Sequence, residues 1–435
     1  MSTSPLALTP ALSPLHAAIR AGSPRALPVM FTLRAGVDPQ PEQRPPLNLA
    51  VVIDASPSMS GAPLAKAKEA AIALVQRLRP DDRLAVIGYA SSVVLLTPSA
   101  PVQVNREQAI AAIGRLEVLG GGTNLHAGWL RAAEAIAPHV HAQSLTRVML
   151  LSDGNANVGI THTPEIVKQC EQLMANGIVT STYGVGIQFN EVLMTQMAQA
   201  GGGLAFFAET AEELNSYFDA EFRLLESTVA RHLEVQIQAS CQGQSVPVSW
   251  KNARSLGDQG ARLGDLAAES LAWGLAELAL PEVGIVQTIE VSATFRYRDR
   301  QGQPHEDVIH TSVPVAAQDG EADGMVAARV DEVEAARLQR EAQEAAARGN
   351  WAHTDALVNQ LQGLAAASGN AYIGGVAANL ASVSAARDQQ TFGKEAFYAS
   401  YSMTTRMVDL NEDVTTLKSD RFGLRKARQG VASPQ

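Results

Sequence analysis

LNLAVVIDASPSMS, residues 47–60, decides how the chain reads. Residues 47–53 are aliphatic or β-branched apart from Asn48 and carry no charge, which is how a strand buried on both faces of a parallel sheet reads. The character then changes at once. Asp54, Ser56 and Ser58 place one carboxylate and two hydroxyls on alternate positions past the strand end, ahead of a helix-like segment at 62–78. In open α/β sheets ligands bind beyond the carboxyl ends of strands, so hard oxygen donors stand here where a site is expected. Oxygen-only donors suit Mg²⁺, Mn²⁺ or Ca²⁺ rather than zinc.

Working outward, residues 47–225 alternate short apolar runs with helix-period segments, the mark of βαβ units. Strands are expected at 82–89, 92–96, 146–151, 178–185 and 204–208, and helices at 106–116, 125–137, 164–176, 190–200 and 211–225. With right-handed crossovers these predict an α/β fold with a doubly wound, mostly parallel sheet.

The flanks follow other rules. ALPVMFTL at 26–33 reads as a strand, residues 36–46 with four prolines as a connector, and residues 1–24, rich in Pro, Ser and Ala, as loosely ordered at the very start. From 228 to 316 the period becomes two, with strands punctuated by Gly, Asp, Asn and Pro, which predicts a small antiparallel β-sandwich. The strand at 26–33 is expected to complete that sandwich, making the α/β domain an insertion. Beyond 321 the composition turns to Ala, Glu, Gln and Arg, and two helices broken at Gly349-Asn350 form an αα-hairpin, a docking element at most. The expected division is an N-terminal segment at 1–46, an α/β domain at 47–227, the sandwich at 228–320, a helical extension at 321–400 and a polar tail at 401–435.

Composition excludes several functions. The 435-residue chain carries a net charge of −10, which opposes nucleic acid and anionic membrane surfaces as partners. Its two cysteines, Cys170 and Cys241, fall in different predicted domains and read as reduced structural thiols. Neither a signal sequence nor a run of membrane-spanning length is seen, so a cytoplasmic location is expected.

Taken singly, each site residue has a plain explanation. Ser56 or Ser58 after a strand is ordinarily a helix cap, and Asp153-Gly154 a turn. Together with Thr123 after the glycine run 120–122, however, they would bring three loops to one sheet edge. Asp54-x-Ser56-x-Ser58, then Gly121-Gly122-Thr123, then Ser152-Asp153-Gly154, resemble the metal-ion-dependent adhesion site of von Willebrand factor type A domains. The resemblance covers residues 47–225 and fills all five ligand positions. It implies that Ser56, Ser58 and Thr123 bind the ion directly, that Asp54 and Asp153 act mainly through water, and that the metal is Mg²⁺ or else Ca²⁺ or Mn²⁺. A carboxylate of a protein partner, an exposed Asp or Glu, would complete the shell. More weakly, the flanks are similar in plan to bacterial proteins with such a domain inserted in a β-sandwich, some described as calcium-activated chloride channel-like, and to inter-alpha-trypsin inhibitor heavy chains.

Enzyme readings fare worse. His305 and His310 are spaced unlike a helical zinc-protease motif, Ser56 stands where a haloacid dehalogenase phosphatase needs aspartate, and His139-x-His141 lacks a third donor. The glycine runs lack the lysine of a phosphate loop. The expectation is a non-enzymatic, metal-dependent protein-binding module, with self-association possible. The alternatives are an adaptor or regulatory subunit of an AAA+ ATPase or kinase assembly, and a scaffold whose metal is structural.

Overall fold

A computed structural model of the chain describes residues 8–22, 24–38, 44–153, 155–185, 190–208, 211–257, 260–284, 287–404 and 407–409. It divides into two units, one of residues 40–228 and 299–303, the other of residues 1–39, 229–298 and 304–435.

In chain order, β1 (Leu8–Pro14), β2 (Ile19–Arg20) and β3 (Arg25–Ala35) come first. The α/β unit follows with β4 (Leu47–Asp54), α1 (Ala62–Arg77), β5 (Arg83–Tyr89), β6 (Val93–Pro101), α2 (Val102–Arg115), α3 (Leu125–Ile136), β7 (Leu145–Ser152), α4 (Thr163–Ala175), β8 (Ile178–Val185), α5 (Glu191–Ala200), β9 (Gly202–Ala208) and α6 (Ala211–Ser227). Its six strands lie in the order β6-β5-β4-β7-β8-β9. All neighbours are parallel except the β5–β6 hairpin. The chain therefore leaves β4 toward β5 and β6, then returns to its other side through β7, β8 and β9. That reversal puts the switch crevice, where α/β sheets bind ligands, at the carboxyl end of β4.

Every residue of β4, β7 and β8 is buried, as the apolar runs require. One core packs Leu49, Val51 and Ile53 against Ala67, Leu74, Phe218 and Phe222. Helix α2 starts at Val102, four residues before the expected 106, where Val102 N–H bonds to Asp82 O at 2.7 Å. At the opposite end of the sheet, Arg44 makes a bidentate pair with Asp82 at 2.8 and 2.6 Å, and Asp82 also accepts from Leu47 and Arg79 N–H.

The second unit continues with β10 (Thr228–Cys241), β11 (Gln244–Val246), β12 (Val248–Trp250), β13 (Arg254–Ser255), β14 (Ala261–Ala267), β15 (Ser270–Leu280), β16 (Thr288–Arg298) and β17 (Pro304–Ala316). One sheet runs β1-β3-β15-β12, with β18 (Met407–Asp409) also on β15; the other runs β13-β14-β10-β16-β17-β2, with β11 on β10. Strand β3 pairs with β15 from Arg34↔Leu271 to Arg25↔Leu280. Both sheets feed one core, Leu27, Val29, Phe31 and Leu278 meeting Val235, Ile289, Val291 and Phe295.

Two expectations need correction. No strand is expected before residue 26, yet Leu8–Pro14 form β1, a full partner of β3. Pro10 and Pro14 disguise it, yet prolines are tolerated on an edge strand such as this one. The helical region holds four helices rather than a hairpin: α7 (Gly324–Ala347), α8 (Trp351–Ser368), α9 (Ala371–Ala385) and α10 (Gln389–Thr404). Gly374-Gly375 lower the intrinsic propensity of α9, but its Asn370 cap and the buried set Ile373, Val376, Ala377 and Leu380 hold it by tertiary packing. Helix α7 also covers the five-stranded sheet, with Val326 and Val333 on Met30, Trp273 and Leu275, and Arg329 4.4 Å over the Trp273 ring. The polar tail beyond 409 and Gly154 lie outside the described residues. Among the described residues no helix is long and apolar enough to cross a membrane.

Candidate metal centre

Asp54 closes β4 and is fully buried. Its Oδ1 accepts from Ser56 N–H at 2.9 Å, and its Oδ2 accepts from Ser152 Oγ at 2.6 Å. The Tyr89 hydroxyl lies 3.0 Å from the same Oδ2 and 2.8 Å from Ser152 Oγ, its one proton serving either oxygen. Both carboxylate oxygens are thus held by the protein, which fixes the group. Burial pushes the Asp54 carboxyl above the ordinary carboxylate range, hydrogen bonds from Ser152 and Ser56 oppose this, and the charge of Asp153 adds to it. Burial and the Asp54 charge likewise drive the Tyr89 phenol well up, so it stays a neutral donor.

The two serines do not act as helix caps. Ser56 precedes the single turn Pro57–Met59 but makes no side-chain capping bond, and the residue preceding α1 is Gly61 at φ +79°. Instead Ser56 Oγ and Ser58 Oγ face each other at 3.0 Å, Ser56 buried and Ser58 exposed. Asp153 Oδ1 accepts from Asn155 N–H at 3.1 Å; the turn reading of Asp153-Gly154 rests on Gly154, outside the described residues.

Backbone bonds gather the three loops. Leu119 N–H donates to Ala55 O at 2.7 Å, tying the glycine loop to the first loop. Asn157 joins the second and third, its Oδ1 accepting from Thr123 N–H at 2.7 Å and its own N–H donating to Thr123 O at 3.0 Å. Asn124 then caps α3 through Ala127 N–H. The glycines are sterically required: a Cβ on Gly122 would stand 2.4 Å from Asn157 Oδ1, and one on Gly121, at φ +91°, 2.3 Å from Ser91 Oγ. Thr123 is buried, and among the described residues its hydroxyl makes no hydrogen bond.

Asp54 therefore holds Ser56, Ser56 meets Ser58, Asp153 is close enough for its charge to act on Asp54, and Thr123 is stitched to the third loop through Asn157. Sequence reasoning passed over Tyr89 and Asn157, and read Ser152 only as part of the Ser152-Asp153-Gly154 motif, without a role of its own. Tyr89 ends an apolar strand and Asn157 sits in a polar loop, so neither carries a local signal. Among the described residues no three His, Cys, Asp or Glu side chains converge, so a cation at this edge would be held with hydroxyl oxygens. His305 and His310 sit at odd and even positions of β17, on opposite faces, and His139 Nε2 lies 3.0 Å from Arg83, so neither pair builds a zinc site.

Residues 48–220 match the family model described as von Willebrand factor type A domain, and the chain contains that domain. It is 30% identical over 203 residues to the uncharacterized protein YfbK of Escherichia coli, the match covering 46% of this chain and 35% of that one. An inter-alpha-trypsin inhibitor heavy chain of Bos taurus is 28% identical over 169 residues, 37% of this chain and 18% of its own length. The chain thus spans about a third or less of these curated relatives. The solved von Willebrand factor type A protein from Catenulispora acidiphila superposes with a TM-score of 0.69 at 17% identity, covering 87% of this chain and 90% of that one, a likeness of fold.

Proposed function

We propose that the chain is a non-enzymatic protein-binding module in which Asp54, Ser56, Ser58, Thr123 and Asp153 hold Mg²⁺ and an exposed Asp or Glu of a protein partner completes the coordination. The α/β unit is, in this reading, an insertion in a β-sandwich formed by the two sheets of the second unit. The supporting observation is the 3.0 Å separation of the Ser56 and Ser58 hydroxyl oxygens beside a fixed carboxylate. Octahedral ligands at about 2.1 Å from Mg²⁺ stand about 3.0 Å apart along an edge, so the two hydroxyls are spaced as adjacent ligands would be. Hydroxyl ligands leave the ion most of its charge and so its attraction for an outside carboxylate. The ion would also relieve the cost of burying Asp54 in ionised form.

Titration calorimetry with MgCl₂ tests the reading. The wild type should give a binding isotherm that Asp54→Ala and Ser56→Ala abolish while both variants keep the native circular dichroism. Equal heats from wild type and variants would overturn it.

A further inference from the structure

Away from the metal centre, the second unit holds an open cleft of about 600 Å³ against the outer face of its seven-stranded sheet. Strand alternation builds its floor. On β10 the odd residues Val235, Ile237 and Ala239 enter the core, so Gln236, Gln238 and Ser240 face outward. Register extends them into rows across three strands: Gln238↔Ser292↔His310, and Ser240↔Glu290↔Ser312. Neighbouring strands lie about 4.8 Å apart and like-facing residues about 7 Å apart along a strand, so the two rows cover roughly the footprint of one or two pyranose rings.

The walls are built rather than incidental. One is the segment carrying Pro247, Val248 and Trp250, tied down by Ala279 N–H to Pro247 O at 2.9 Å, with the Trp250 ring held edge-on to Phe31 at 5.6 Å. The other holds Gly260, at φ +110°, whose Cβ would stand 2.1 Å from Val235 O; only glycine lets that wall close on β10.

We propose that this cleft binds a neutral carbohydrate. The row next but one along the same face, Glu234↔Arg296↔Glu306, is consumed internally, Arg296 pairing with Glu306 at 2.7 Å and Arg262 with Glu234 at 2.8 Å, while Arg296 also donates to Gln236 Oε1 at 3.3 Å. In contrast, among the described residues the side chains of Gln238, Ser240, Glu290, Ser292 and His310 make no hydrogen bond to the protein. Amides and hydroxyls that both donate and accept match vicinal sugar hydroxyls. Among the described residues no Lys or Arg lines the cleft and Glu290 does, which disfavours phosphates, sulfates and acidic sugars.

The test uses the full chain in EDTA, so that its outcome is independent of the metal centre. Cellohexaose, chitohexaose and maltohexaose are titrated by calorimetry and saturation-transfer NMR, with a sialylated oligosaccharide as the acidic control. At least one neutral hexasaccharide should bind, and Gln238→Ala combined with Ser292→Ala should weaken it about tenfold or more. Both positions are on the outer face, so the melting temperature should hold. Binding of none of the three, binding of the acidic control alone, or undiminished binding by the double variant would overturn the proposal.

Discussion

Tyr89 and Gly128 carry the architecture beneath Asp54. The phenol hydroxyl lies against both Asp54 and Ser152, and a Cβ on Gly128 would stand 2.6 Å from its ring. Tyr89→Phe keeps the ring and the Ser152 bond to Asp54, so it should cost only about 1 kcal/mol in urea unfolding and weaken Mg²⁺ binding by a few-fold. Gly128→Ala should cost about 1–3 kcal/mol through overpacking, and should lower metal affinity too if the ring is displaced toward the carboxylate. A Gly128→Ala protein with wild-type stability would contradict the packing described. At this scale the sequence was most informative about Asp54, Ser56 and Ser58, whose types and alternation stand out against an apolar strand. It was least informative about Tyr89 and Asn157, which acquire their roles only when distant loops meet.

Among the elements, the helices of the second unit have a defined pH response. Arg387 makes a bidentate pair with Asp355 at 2.8 Å for each bond, and Ser384 Oγ donates to the same carboxylate. These bonds hold the Asp355 carboxyl below its ordinary range, the Arg387 bond contributing most. A depressed folded-state value means stability that is present above the unfolded carboxylate range, near pH 4, and is lost as pH falls through the lower folded value. Thermal melts should therefore show a small loss for wild type on acidification below about pH 4 that Asp355→Asn reduces, small because the pair is exposed and screened. At the start of α7, Asp323 Oδ1 accepts from Met325 and Val326 N–H, and Asp323→Ala should cost about 1 kcal/mol, read by urea unfolding. Element types were legible where one period ran unbroken, as in β4 and α7. The failures, β1 and the last two helices, are places where Pro or Gly lowers local propensity and long-range pairing or burial restores the element.

For the whole molecule, each unit has its own core, and this sets how truncations behave. Deleting residues 1–38 removes β3, which lies between β1 and β15, and exposes Leu27, Val29, Phe31 and Leu33 positions of the second core. The calorimetric transition of that unit should be lost while a fragment of residues 44–228 still melts cooperatively; loss of both transitions would show the cores to be interdependent. The ends of that fragment have a particular arrangement. Arg44, already clamped by Asp82 where the chain enters the α/β unit, also lies 3.9 Å from Glu226 where the chain leaves it. The unit's first and last turns thus share one guanidinium. On the proposed insertion, the almost two hundred residues of this unit impose on the rest of the chain only the closure entropy of a short loop, since the folded unit has already brought its own ends together. Arg44→Ala, by loosening the clasp, should then make the folding of the second unit sensitive to the length of chain between its halves.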